Sequence, residues 1–168
     1  MIIKELESGS SNKSLDSVKH LYEKTISSDA DSYSKSLMMV NMYKEMAKYV
    51  FDFLNSFDNR IIIAEGVSFL PEIAADYGVS KDNYIALSIN TEKRFEIFQN
   101  RNYVKKHFSE DPLSFFDTVS YIDSFYRDQC ELYGYEYHTN HSIDTTYDYI
   151  LNKLKVINDR VFNCQKTD

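Results

Sequence analysis

The sequence predicts an α/β protein: a three-layer sandwich in which a mostly parallel sheet of four or five strands is flanked by helices. Three observations predict it. Short apolar runs alternate with helical patterns along the whole chain, the order that a parallel sheet with crossover helices requires. The run Arg60-Ile-Ile-Ile-Ala-Glu-Gly-Val67 is short and β-branched and stops at an acid followed by glycine. That is the pattern of a buried parallel strand bringing a carboxylate to the carboxyl edge of the sheet, where such folds bind ligands. The amino terminus, Met1-Ile2-Ile3-Lys4-Glu5-Leu6, reads as another strand and leads into a small-residue loop, Glu7 to Asn12.

The elements follow in order. A helix is expected over about Lys13 to Lys24, and Thr25 to Ser32, with Asp29 and Asp31, is expected to be a loop. The next helix carries Met39, Met42, Tyr43, Met46, Val50, Phe53, Leu54 and Phe57 at spacings of three and four, one apolar stripe. The strand ending at Glu65 comes next. Phe69 to Asp76 is a short helix with Pro71 in its first turn, where a missing N–H costs nothing, and Gly78 ends it. Asn83 to Ile89 is the third strand. Asn90 or Thr91 caps a helix containing Phe95, Phe98 and Val104. Asp111-Pro112 opens another, with Phe116, Val119, Ile122, Tyr126 and Cys130 on its stripe, closed by Gly134. Tyr135 to His138 is a weak fourth strand. Asp144-Thr145 caps the last helix, with Ile150, Leu151, Leu154, Ile157 and Val161 inward.

Composition narrows the classes. A chain of 168 residues without a visible linker is most simply one domain, residues 1–168. The formal net charge of -7 argues against a nucleic-acid partner, which needs clustered positive charge. Two cysteines, Cys130 and Cys164, with no CxxC spacing, speak against a disulfide framework or a cysteine zinc site. No apolar run reaches bilayer length and the amino terminus lacks a signal-peptide plan, so a cytoplasmic location without membrane association is expected.

At this point the chain resembles the small P-loop kinases of the nucleoside, nucleotide and shikimate kinase type. In their pattern, G-x-x-x-x-G-K-[ST], the glycines let backbone N–H groups wrap phosphates, the lysine reaches the terminal phosphates and the hydroxyl binds Mg²⁺. Lys13 and Ser14 match the closing pair, whereas Glu7 and Asn12 stand where the glycines belong, giving a degenerate loop. The resemblance implies a P-loop NTPase-like fold with ATP and Mg²⁺ as cofactors. Gly9, Ser10, Ser11, Asn12, Lys13 and Ser14 would cradle phosphates, and Ser14 and Glu65 would hold the metal. A helical lid around residues 91–110 would clamp the transferring group through Arg94 and Arg101, joined by Arg127 from the following helix. Asp29 or Asp31 would accept the proton of the acceptor hydroxyl. Tyr137-His138-Thr139-Asn140 is similar to the loop that passes the adenine ring, so His138 and Thr139 would bind the nucleotide.

Each of these residues has a plainer reading. The Ser-rich stretch fits a polar turn, Arg94, Arg101 and Lys105 fit a solvated basic helix face, and Asp29 and Asp31 fit helix capping. His138 and His141 have metal-ligand spacing without a matching cluster, which favours a surface loop. Two functions therefore stand. One is a phosphotransferase acting on a small hydroxylated acceptor. The other is a catalytically impaired pseudokinase, or a nucleotide-binding or interaction subunit, with its tyrosines serving a protein partner or a second copy.

Overall fold

The computed structural model describes residues 20, 23–25, 29–57, 62–89, 93–96 and 112–164. Four helices dominate: α1 (Ser32–Asn55), α2 (Pro71–Asp76), α3 (Pro112–Tyr133) and α4 (Ile143–Cys164). A 3₁₀ turn at Lys81–Asn83 leads into β1 (Ile85–Ile89), and β2 (Glu136–Asn140) follows α3. Among the described residues these two strands are the whole sheet, paired in parallel from Ile85↔Glu136 to Ile89↔Asn140.

This corrects the expected architecture. The protein is mostly helical, and the four- or five-stranded, three-layer P-loop sandwich is not what the chain forms. The segments read as third and fourth strands do pair. The segment read as the buried, acid-bearing strand does not: residues 62–65 enter no ladder and are exposed, Ile63 at 75%. A run of isoleucines suits extended backbone, but strand formation depends on a neighbour to pair and pack with, which the run itself does not specify. The expected amino-terminal strand, Met1 to Leu6, lies outside the described residues.

Helix α1 begins where Asp31 caps it, its carboxylate accepting from the Ser34 N–H at 2.9 Å. Its buried face is Ser36, Val40, Met42, Tyr43, Ala47 and Phe51. The stripe is thus rotated from the expected one, and Phe53 points outward, 48% exposed. Pro71 occupies the first turn of α2. Helix α3 buries Thr118, Ile122 and Cys130. It ends at Gly134, whose φ of +71° is left-handed, and the Tyr135 N–H returns to the Cys130 carbonyl at 2.8 Å. The Ser142 hydroxyl accepts from the Thr145 N–H at 3.2 Å, so Ser142, not Asp144 or Thr145, caps α4. Helix α4 is only half covered: Leu154 is 38% exposed.

Two apolar clusters hold these parts together. Val40, Met42, Tyr43, Leu70 and Ile122 join α1 to α3 through the α2 approach. Ala47, Phe51, Ala74, Tyr84, Ala86, Cys130 and Tyr135 join α1, α2, β1 and α3. The turns around α2 are also fastened by phenols. Tyr84 donates to the Phe69 carbonyl, Tyr126 to the Val67 carbonyl, and Tyr135 to the Val79 carbonyl at 2.8 Å.

Candidate functional site at the carboxyl edge of the sheet

The two parallel strands end level, at Ile89 and Asn140. The sheet face that carries Ala86 and Ser88 packs on α3. Helical residues 93–96 lie just beyond β1. Two contacts fasten them back onto the edge. The Lys93 ammonium donates to the His141 carbonyl just after β2. The Arg94 guanidinium, 6% exposed, donates from Nη2 to Ser88 Oγ (2.9 Å), to the Ile89 carbonyl (2.9 Å) and to Asp123 Oδ2 on α3 (2.6 Å). A charge this buried is tolerated because its counter-charge and hydrogen bonds come with it.

Tyr137 enters the same cluster from β2, beside Ser88 and Asp123. Burial pushes its phenol up to about 12; the Ser88 hydrogen bond and the Arg127 charge oppose that rise and the Asp123 carboxylate adds to it. Arg127 sits one turn after Asp123, exposed, with Nη2 3.2 Å from Ser124 Oγ. The edge therefore gathers Ser88, Lys93, Arg94, Asp123, Arg127 and Tyr137. The amino end of α1 approaches the same end of α3: Ser32 Oγ lies 3.1 Å from both the Ser114 carbonyl and Ser114 Oγ. Phe95 packs edge-on against Phe116 one turn further along, with centroids 5.2 Å apart.

Of the residues expected to act, Arg94 and Arg127 come together around Asp123 and Tyr137. Asp31 is spent on its helix: the Ser34 N–H and hydroxyl hold its carboxyl below the ordinary carboxylate value. Asp29 is exposed just before it. Glu65 is exposed on the unpaired 62–65 segment rather than at a strand end. His138 and Thr139 lie inside β2, not in a loop, and the His138 ring stacks on Tyr149 of α4 at 3.9 Å and 7°. Gly9, Ser10, Ser11, Asn12, Lys13, Ser14 and Arg101 fall outside the described residues.

Asp123, Ser88 and Tyr137 were not singled out from the sequence. Asp123 had a signal: it stands four residues after Val119 and seven after Phe116, on the inward stripe of α3, where an acid requires a partner. The described residues do not compose a metal centre. Among them no group of three or more His, Cys, Asp or Glu side chains converges, and Glu65 is exposed on backbone that pairs with no strand. A separate cleft of about 270 Å³, lined by Asp82, Tyr149, Asn152, Lys153, Val156 and Ile157, lies on the amino-terminal side of β1. Its lysine is engaged with Glu136.

Among the described residues no helix is long and apolar enough to cross a membrane. Comparison of the chain with protein families, with curated proteins and with solved structures gives no match.

Proposed function

We propose that the protein is a nucleotide-dependent phosphotransferase of the small-molecule kinase type, with the carboxyl edge of β1 and β2 as its anion-binding side. The observation that carries this is the convergence of Lys93, Arg94 and Arg127 where two parallel strands end together. Strand ends of parallel sheets are open to ligands, and cationic forks there suit phosphate. The acceptor hydroxyl oxygen attacks the γ-phosphorus of ATP, the bond to the bridging oxygen breaks, and ADP leaves with that electron pair. The hydroxyl proton passes to a carboxylate, for which Asp29 remains once Asp31 is occupied as a cap. Lys13 and Ser14, matched by sequence alone, hold the phosphates. Mg²⁺, when bound, neutralises phosphate charge, and no step here is assigned to it. A cytoplasmic location and the lack of a nucleic-acid partner, argued from the charge of -7, belong to the same proposal.

The test is ADP formation from Mg-ATP with a panel of hydroxylated acceptors, in wild type and Lys13→Ala. Turnover lost in the variant is expected; equal turnover in both, or none in the wild type, overturns the reading. A second reading, a nucleotide-binding or interaction subunit with impaired catalysis, is favoured by one observation. Lys93, Arg94 Nη2 and Asp31 are all engaged with the fold. Calorimetric binding of Mg-ATP without turnover selects it. The apolar residues Tyr33, Leu37, Leu113 and Tyr121, each at least 45% exposed on α1 and α3, are then the surface for its partner.

A further inference from the structure

All the hydrogen bonds that Arg94 makes with the described residues come from one nitrogen. Nη2 has two hydrogens and faces three acceptors, Ser88 Oγ, the Ile89 carbonyl and Asp123 Oδ2. Nε and Nη1 take no acceptor among the described residues, although only 7% of the side chain is exposed. Donors left unpaired in so dry a place are a cost that a structure seldom carries without a use. We propose that Asp123 is a positioning residue: it grips Arg94 by Nη2 and leaves Nε–H and Nη1–H as donors to a polyphosphate anion at the carboxyl edge of β1. This rests on the phosphotransferase reading of that edge and adds the class of anion it takes.

The geometry of the guanidinium decides the class. A carboxylate is held in bidentate fashion by two adjacent N–H groups along one edge. Both edges of the guanidinium that offer such a pair include Nη2, which is already committed. The two free nitrogens lie on different edges, so each meets a different oxygen. An anion with several spaced oxygens, such as pyrophosphate, satisfies both; acetate does not. Arg127, one turn further along α3, supplies a second cation on the same helix.

The experiment observes arginine side-chain Nε–H resonances of the ¹⁵N-labelled wild-type chain during titration with pyrophosphate or with acetate. Arg94 is assigned by the loss of its signal in Arg94→Lys. The expected result is a saturable shift of the Arg94 Nε–H with pyrophosphate and at least tenfold weaker binding of acetate. Calorimetry on Asp123→Asn, with its fold checked by circular dichroism, should show pyrophosphate affinity reduced at least tenfold. An Arg94 Nε–H that does not move at saturating pyrophosphate, or that moves equally for acetate, overturns the inference, and the wild-type titration answers this even if the variants fail to fold. The two readings separate cleanly. A pyrophosphate shift without ATP turnover keeps the inference and removes the kinase; turnover with an unmoved Arg94 does the reverse.

Discussion

Cutting the Arg94–Asp123 contact should cost stability in an asymmetric way. Asp123→Ala leaves a guanidinium whose side chain is 7% exposed with no counter-charge, whereas Arg94→Met leaves a carboxylate that is 24% exposed and can rehydrate. Removing one partner of a buried pair costs about 3–5 kcal/mol. The residual exposure of Asp123 places Asp123→Ala near the lower end, about 3 kcal/mol, and Arg94→Met lower still, about 2 kcal/mol. The double variant should lose less than the sum, with a coupling of about 1–2 kcal/mol, because each single change strands the other charge. For a chain of this size each kcal/mol moves Tm by about 2–4 °C, so Asp123→Ala should melt roughly 6–12 °C early. Urea titrations of the four proteins, followed by circular dichroism, measure the cycle. Single losses under about 0.5 kcal/mol that add without coupling, the behaviour of an exposed pair, would refute the claim that this is a buried clasp.

Two further outcomes are expected. Burial pushes the Cys130 thiol up to about 11, so in a Cys164→Ser background iodoacetamide at pH 8 should label it only after unfolding; rapid native labelling would contradict its 1% exposure. The Asp31 carboxyl is held below its ordinary value by the Ser34 hydrogen bonds. Its contribution is therefore present above the unfolded-state pKa and lost as pH falls through the folded one. The Tm gap between wild type and Asp31→Ala should be open at pH 7 and close below about pH 3; a gap that persists in acid would contradict the carboxylate cap.

The helices were legible because their signals are local. The Asp31 cap, Pro71 in the first turn and Gly134 after the last each act within a few residues. Pairing was legible for the segments on either side of α3, since a helix of 22 residues between two short apolar runs is the unit that forms a parallel pair. The isoleucine run at 61–63 misled because extended preference does not name a neighbour. At the site, arginines at helical spacing were visible, but their engagement was not. That depends on Asp123, 29 residues from Arg94, and on a phenol from the opposite strand. His138 looked like a loop ligand because the periodicity of a five-residue strand is too short to read.

The phenols that reach the Phe69, Val67 and Val79 carbonyls come from three separate places: the residue before β1, the middle of α3 and the residue before β2. No ladder secures residues 66–80 at either side, so these aromatic pins do the work that strand neighbours do elsewhere. Losing a single ring oxygen frees only one peptide group. Because each pin is rooted in the common core, the span should let go all at once, when that core itself gives way.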